Sequence, residues 1–273
     1  MMRKASKKPW ISVIIPTREH PEMLAKCMKS LAAAVKKSKR WIEIIVIDGD
    51  DDPEPVQKVL RAANLEEVNY TVAEGWWNFS RINNHAASLT SGEYLLLLND
   101  DCFVPPTFFD DLGQLSDDEI LGFLLIYEDK VRIQHAGIDI IQNCQPVNMG
   151  LAIPWPNYSA SPRTRVTGVS MACCLVPRRV FDALGGLDVD YHFGLEDVDF
   201  SLRAWENGYR VTMCNDIKCV HVGNVSGHLM TALSPRNSPL YNFQVFHKKW
   251  LQSGRLSTVV GLVGDGDRTE NRA

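Results

Sequence analysis

Four apolar runs in the first hundred residues have the length and spacing of buried β-strands. Because they are apolar at almost every position, they predict strands covered on both faces, as in a parallel α/β sheet. The segments between them carry helix signals beginning at Pro21, Val56 and Ser80, with Ser80 as the expected N-cap. Alternation of strand and helix predicts right-handed crossovers and a mostly parallel central sheet with helices on both faces. The four runs are Trp10 to Ile15, Trp41 to Ile47, Val68 to Ala73 and Tyr94 to Leu98.

The second half of the chain is less regular, and its short apolar stretches predict mixed strand directions. Gln145 to Arg165 shows little periodicity, which fits either a mobile binding loop or an irregular cover. Glu196 to Glu206 predicts a helix that stops at Asn207-Gly208. Tyr241 to Leu251 predicts an amphipathic helix, for which core packing is favoured over membrane docking. The short stretches are residues 120–126, 138–141, 169–176 and 211–214.

These segments divide the chain into three predicted parts. We expect a catalytic domain at residues 9–225, a C-terminal helical extension at 226–263, and a polar, disordered tail at 264–273. A chain of 273 residues that is 45% hydrophobic can bury the core of one large α/β domain.

Charge and cysteine content narrow the classes of partner and compartment. The formal net charge of -4 argues against general affinity for nucleic acid. Two basic clusters, near residues 3–8 and 36–40, are read as solvated surface, although contact with anionic lipid at the inner face of the membrane stays open. No apolar stretch approaches the length of a bilayer span, so we expect a cytoplasmic protein. Seven cysteines without C-x-x-C spacing predict buried thiols rather than disulfides or a zinc ribbon.

Polar residues follow each of the four predicted strands of the first half. They are Thr17, Asp48, Glu74 and the cluster Asn99-Asp100-Asp101. Because parallel sheets bind ligands beyond the carboxyl ends of their strands, these side chains are expected on one rim. Carboxylate oxygens suit Mg²⁺ or Mn²⁺ and, through the metal, a diphosphate. The competing interpretation is that Asn-Asp-Asp merely opens a turn.

A second acidic cluster begins the predicted helix at Glu196. Asp199 and Arg203 are four residues apart and should form a structural salt bridge. Asp197 lacks such a partner and lies at the helix start, where the helix dipole favours its ionised form, so it is a candidate proton acceptor. The alternative is that Glu196 and Asp197 only complement the helix N-terminus.

Two basic side chains complete the candidates. His221 follows a short apolar stretch, at a predicted strand end, and becomes a ligand candidate because a carboxylate site needs further ligands. Arg81 begins the helix before the fourth strand and can face a phosphate, with a solvated helix face as the competing account.

Taken together and in this order, these elements resemble the inverting family-2 glycosyltransferases, which have a Rossmann-like nucleotide-diphospho-sugar transferase fold. The resemblance spans roughly Trp10 to Ser226 and is nearest to the rhamnosyl- and galactofuranosyl-transferases of bacterial surface polysaccharides. It is carried by Val13–Thr17, Ile45–Asp48, Phe79–Asn84, Gly92–Asp101, Gly168, Gly185–Asp188, Glu196–Asp199 with Arg203, and Val220–His221.

The resemblance implies roles for individual residues. Asp101 would bind the divalent metal, Mn²⁺ or Mg²⁺, and His221 would contact the metal or the diphosphate. Asp197, beside Glu196, would be the general base. Asn99 stands where the family has its first aspartate, which removes one negative charge from the metal site. The implied donor-binding residues are Thr17, Asp48, Arg81, Asn99 and Asp100.

The implied reaction is transfer of a hexosyl or deoxyhexosyl group, with inversion, from a nucleotide-sugar donor to a hydroxyl of a glycan or glycolipid acceptor. A sugar-nucleotide pyrophosphorylase or a dinucleotide oxidoreductase needs a Gly-rich loop after the first strand, and residues 16–20 contain no glycine. A catalytically decayed nucleotide-sugar-binding module is the other alternative. Asn99 favours it, whereas the presence of Asp101, Asp197 and His221 argues against it.

Overall fold

A computed structural model describes residues 8–63, 65, 68–73, 78–141, 144–192, 194–223 and 238–260. Glu74, the predicted tail at 264–273 and residues 226–237 of the predicted extension lie outside these ranges. The predicted boundaries of the three parts therefore stay predictions.

The described residues form one ten-stranded mixed sheet and a separate two-stranded hairpin. The main sheet has the order β10-β12-β6-β11-β4-β1-β2-β3, with β5 paired to β12 and β7 to β6. The strands are β1 Ile11–Thr17, β2 Ile42–Asp48, β3 Val68–Val72, β4 Tyr94–Leu98, β5 Cys102–Phe103, β6 Glu119–Ile126, β7 Ile133–His135, β8 Ile138–Ile140, β9 Pro146–Asn148, β10 Arg163–Arg165, β11 Cys173–Pro177 and β12 Arg210–His221.

Helices connect and cover these strands. They are α1 Pro21–Lys37, α2 Glu54–Ala62, α3 Phe79–Ser88, α4 Phe108–Asp111, α5 Arg178–Ala183, α6 Glu196–Glu206 and α7 Pro239–Phe246, which continues as a π-helix at His247–Leu251. Residues 255–260 are also helical, and Trp155–Asn157 forms a 3-10 turn. In the described part of the chain, every helix is too short or too polar to span a bilayer.

The first half of the chain forms the parallel part of the sheet, as its apolar runs predict. β1 pairs in parallel with both β2 and β4, and β2 pairs in parallel with β3. Alternate side chains of β4 enter two different hydrophobic clusters: Leu95 and Leu97 pack in one, Leu96 and Leu98 in the other. The sheet is therefore covered on both faces. Mixed strand directions begin at β11, which is antiparallel to both β4 and β6.

Some predicted boundaries are wrong, for local reasons. The N-cap of α3 is Asn78 rather than Ser80, because the Asn78 side chain accepts a hydrogen bond from the backbone N–H of Arg81 at 2.8 Å. Ser80 Oγ instead donates to the carbonyl oxygen of Tyr191. The strand predicted at 169–176 begins only at Cys173, and the stretch predicted at 211–214 continues as β12 to His221 through an irregularity after Cys214.

The C-terminal helices pack on the same core as the sheet. Phe246 and Trp250 are fully buried, which confirms core packing for the amphipathic segment. Trp250 Nε1 donates to Asp199 Oδ1 at 2.8 Å, and Lys249 Nζ lies 2.7 Å from the same oxygen. Arg203 pairs with the other oxygen of Asp199 at 2.7 Å, so the predicted Asp199–Arg203 salt bridge is confirmed.

The cysteines have the role that their spacing predicts. All seven are free thiols and six are buried. Residues 145–165 are irregular, as their weak periodicity predicts, with β9, the 3-10 turn and β10 as the only regular pieces among the residues described there.

Candidate active site

The turn after β4 places three polar residues at the carboxyl end of the parallel strands. Asn99 is held by its backbone, since its N–H donates to the carbonyl oxygen of Ala172 and its carbonyl accepts from the N–H of Cys102. Among the described residues, Asn99 Oδ1 is buried and has no hydrogen-bond partner. A buried acceptor without a partner costs free energy unless a ligand, water or ion satisfies it, so this oxygen is a candidate binding position.

Thr17 and Asp100 meet beside this turn. Thr17 is the last residue of β1, and its Oγ1 donates to Asp100 Oδ2 at 2.7 Å. Burial raises the pKa of Asp100 to about 7, against the opposing effect of the Thr17 hydrogen bond. The carboxyl group of Asp100 is therefore close to its midpoint of ionisation near neutral pH.

Asp48 lies next to Thr17, because the two residues are paired across β1 and β2. Its carboxylate is buried and accepts hydrogen bonds from Tyr70 Oη at 2.8 Å and from the N–H of Asp50 at 3.0 Å. Burial raises the pKa of Asp48. Both carboxylate oxygens are thus already held by the protein, and Tyr70 is a site neighbour for which the sequence gives no signal.

Asp101 and His221 meet although they lie far apart along the chain. His221 Nε2 is 3.2 Å from Asp101 Oδ1, and the two side chains are 14% and 8% exposed. β5 and β12 bring them together, because Cys102 pairs with His221 in the sheet. The backbone N–H of Gly223 donates to Asp101 Oδ2 at 3.0 Å.

The pKa values of this pair shift in opposite directions. Burial alone would raise the pKa of Asp101, but the hydrogen bond and charge of His221 outweigh it and lower the value. Burial alone would lower the pKa of His221, and the Asp101 carboxylate raises it instead. Each side chain thus stabilises the charged form of the other.

Gln134 is a third member of this group that the sequence analysis did not identify. His221 Nδ1 is 2.5 Å from Gln134 Oε1, on β7. Gln134 belongs to no motif and lies in a three-residue strand, so only the pairing of β7 with β6 reveals its position.

The start of α6 carries Glu196 and Asp197 in a strained backbone. Leu195, which precedes the helix, has a φ of 69°, in the left-handed region that non-glycine residues rarely adopt. Glu196 Oε2 accepts from the N–H of Gly194 at 2.6 Å, and Asp197 Oδ1 accepts from the N–H of Val198 at 2.8 Å. The backbone therefore holds both carboxyl groups in place.

Burial raises the pKa of both carboxyl groups. It raises the pKa of Asp197 to about 6, and burial together with the charge of Asp197 raises the pKa of Glu196 to about 8. With these values the pair holds about one proton near pH 7, which leaves one ionised carboxylate able to act as a base.

The helix start lies at the same edge of the sheet as the Asn99–Asp101 turn. β11 runs antiparallel to β4 with Cys173 opposite Leu98, so β11 begins where β4 ends. Burial, and after it the charge of Asp197, raises the pKa of the Cys174 thiol at the start of β11, so the Asp197 carboxylate lies near that end of the strand. Ser201 Oγ, one turn further along α6, accepts from the N–H of Val169 just before β11.

The remaining candidates are less closely connected. Arg81 is exposed in the first turn of α3, and its role stays a prediction. His135 has the structural role expected of a core histidine: the N–H of Ser170 donates to its Nε2, and burial lowers its pKa to about 4.

Within the described ranges, no three His, Cys, Asp or Glu side chains converge as a complete metal site. The candidate protein ligands are the Asp101–His221 pair.

Comparison with known proteins gives this edge of the sheet a family context. The model of the family described as Glycosyl transferase family 2 matches residues 12–185, which is more than half of the chain. The chain belongs to glycosyl transferase family 2. This confirms the resemblance found in the sequence and the glycosyltransferase class.

One curated relative is a protein named for O-antigen biosynthesis. The O-antigen biosynthesis protein RfbC of Myxococcus xanthus is 28% identical over 225 residues, covering 78% of this chain and 17% of the relative. The chain thus spans less than a fifth of the length of that protein.

Solved structures confirm the nucleotide-sugar transferase fold. GalNAc-T7, whose structure is described with UDP, GalNAc and Mn²⁺, superimposes with a TM-score of 0.62 at 16% identity, over 79% of this chain and 44% of GalNAc-T7. S. aureus TarS superimposes with a TM-score of 0.57 at 15% identity, over 82% of this chain and 38% of TarS. At these identities the likeness concerns the fold alone.

Proposed function

We propose that this member of family 2 transfers a hexosyl or deoxyhexosyl group, with inversion, from a nucleoside-diphosphate sugar to a hydroxyl of a polysaccharide or glycolipid acceptor. The observation that carries the proposal is the meeting of Asp101 and His221 beyond β4, beside the unpartnered oxygen of Asn99. These groups lie where parallel sheets bind their ligands.

The donor set fits a divalent metal, Mn²⁺ or Mg²⁺. Asp101 and His221 supply one carboxylate and one imidazole, and Asn99, in the same turn as Asp101, has a side-chain oxygen without a partner among the described residues. Metals that serve phosphate chemistry are commonly held by one or two protein ligands and completed by phosphate oxygens and water, so a third protein ligand is not required. When bound, such a cation neutralises the negative charge that develops on the leaving diphosphate.

The donor nucleotide fits at the ends of β1, β2 and β4. Thr17 donates a hydrogen bond to the carboxyl group of Asp100 at the end of β1, and the buried carboxylate of Asp48 lies at the end of β2. The UDP named with GalNAc-T7 supports a nucleoside diphosphate as the ligand of this fold. Arg81, exposed on α3, is assigned to the phosphates.

Asp197 is the proposed general base. The backbone N–H of Val198 holds one carboxylate oxygen, so the other can accept the proton of the acceptor hydroxyl. Its raised pKa makes Asp197 a stronger base than an exposed aspartate while leaving it mostly ionised at pH 7. Attack by that hydroxyl on the anomeric carbon, opposite the diphosphate, is a single displacement and inverts the configuration. Glu196 stays neutral beside it.

A screen of nucleotide sugars tests the proposal. The purified protein is incubated with each donor and candidate glycan acceptors in Mn²⁺, Mg²⁺ or EDTA, and release of nucleoside diphosphate is measured together with product configuration by NMR. We expect metal-dependent transfer with inversion that Asp197→Asn abolishes. Asp216→Asn, at an exposed position on β12, is the matched control. Retention of configuration, or full turnover in EDTA, would contradict the mechanism.

Asn99 supports a second candidate function, a nucleotide-sugar-binding module without catalysis. An asparagine at this position lowers the negative charge of the metal site. Calorimetry with UDP and Mn²⁺ separates the two functions: metal-dependent binding without transfer to any acceptor favours the module, whereas turnover excludes it.

A further inference from the structure

Gln134 contacts His221 on the side away from Asp101. Its Oε1 lies 2.5 Å from Nδ1 of the imidazole, while Nε2 of the same ring lies 3.2 Å from Asp101 Oδ1. An amide oxygen only accepts hydrogen bonds, so Nδ1 carries the proton and donates it to Gln134. The ring is therefore held from both sides, and Nε2 points at the carboxylate.

Gly223 leaves room for the Gln134 side chain. A Cβ built on Gly223 would lie 2.5 Å from Gln134 Nε2, closer than real Cβ contacts come. The φ of Gly223 is also +73°, a conformation that favours glycine. The backbone N–H of Gly223 donates to Asp101 Oδ2 at 3.0 Å. One glycine thus makes room for the amide and fixes the carboxylate that the imidazole faces.

The strand that carries Gln134 is anchored on both sides of this residue. Ile133 is fully buried before it. His135, after it, is buried and fixed by two hydrogen bonds, one from the N–H of Ser170 at 3.1 Å and one to Asn148 Oδ1 at 2.9 Å. The backbone of β7 is therefore fixed at Gln134, which limits the positions that the side-chain amide of Gln134 can reach.

We propose that Gln134 is a positioning residue that fixes the orientation and tautomer of His221, so that Nε2 is the nitrogen offered to a divalent metal beside Asp101. A metal-binding histidine commonly donates its other ring N–H to a protein acceptor, which orients the ring and raises its basicity as a ligand. This inference rests on the proposed metal-dependent function. It adds a residue that acts on the metal through His221.

Binding of Mn²⁺ in the presence of saturating UDP tests this inference without any turnover. Free Mn²⁺ is measured by electron paramagnetic resonance for the wild type and for Gln134→Met, which keeps the side-chain length and removes the amide oxygen. Loss of such an outer contact weakens metal binding by about 10- to 100-fold. Gln134→Glu restores an acceptor for Nδ1, so it should bind Mn²⁺ at least as tightly as the wild type. Gln252→Leu, at an exposed position, is the control.

A double-mutant cycle with His221→Ala shows whether Gln134 acts through the imidazole. If it does, Gln134→Met has no further effect on Mn²⁺ affinity once His221 is removed. A merely structural role would instead lower affinity in both backgrounds and lower the thermal stability of the metal-free protein. If Gln134→Met does not fold, Gln134→Glu decides alone, since a tenfold loss of affinity in that variant overturns the inference.

The outcomes separate this inference from the proposed function. If the wild type binds Mn²⁺ and Gln134→Met binds it with equal affinity, Gln134 has no role in metal binding. The proposed metal site at Asp101 and His221 then still stands. Wild-type protein that binds no Mn²⁺ with UDP contradicts both. A loss of 10-fold or more that Gln134→Glu reverses supports both.

Discussion

Replacing Asp197 with asparagine tests the proposed base with little change in shape. The side chain stays the same size, and its remaining oxygen can still accept the hydrogen bond from the N–H of Val198. Only the capacity to take a proton is lost. The fold should therefore be preserved, and UDP binding should stay within about twofold of the wild type because the donor contacts are untouched.

The expected size of the loss follows from the chemistry and the pKa of this carboxyl group. General-base help is worth about 10²- to 10⁴-fold in rate, or roughly 3 to 5 kcal/mol of activation free energy. Burial raises the pKa of Asp197 to about 6. Since only the ionised form is a base, about nine tenths of the protein is competent at pH 7 and about one tenth at pH 5. Wild-type kcat/KM should therefore fall about tenfold from pH 7 to pH 5.

The assay measures kcat/KM between pH 5 and 8 for the wild type, Asp197→Asn and the control Asp216→Asn. We expect kcat/KM to fall from pH 7 to pH 5, the acidic limb of the profile, in the wild type and in the control. In Asp197→Asn we expect this limb to disappear and most of the activity to be lost. A variant that keeps more than a tenth of wild-type kcat/KM, with the same acidic limb, would refute the assignment of Asp197 as the base.

Three further substitutions test other parts of the structure. Lys249→Met removes one of the two cations that pair with the fully buried Asp199. This should lower the free energy of unfolding by about 3 kcal/mol and lower Tm by roughly 6 to 12 °C in calorimetry. Lys248→Met, at an exposed position, should leave Tm unchanged. Glu196→Gln should keep kcat/KM at pH 7 within about threefold of the wild type, because burial raises the pKa of that carboxyl group to about 8 and favours its protonated form. A hundredfold loss would show that the ionised form of Glu196 is needed. Thr17→Val removes the hydroxyl that holds the carboxyl group of Asp100, and UDP affinity measured by calorimetry should fall about tenfold. An unchanged Kd would remove Thr17 from the donor site.

The parallel half of the fold can be predicted from sequence because its signals are local. A run such as Tyr94 to Leu98 is apolar at every position and short, which is the pattern of a strand covered on both sides. The helix stop at Asn207-Gly208 is equally local, since Gly208 has a φ of +76°. The N-cap of α3 cannot be placed from sequence, because Asn78 and Ser80 are both good caps and the contact of Ser80 with Tyr191 is a tertiary one.

By itself, the sequence determined the element order of the parallel half, the polar residues at its strand ends and the family resemblance, because these depend on periodicity and on neighbours along the chain. Only the tertiary structure decided which of those residues meet. The approach of His221 to Asp101 needs the pairing of β5 with β12, and the bond from Gln134 needs β7 beside β6. The raised pKa values of Asp100 and Asp197 arise in the same way, because burial depends on packing between segments that are distant in sequence.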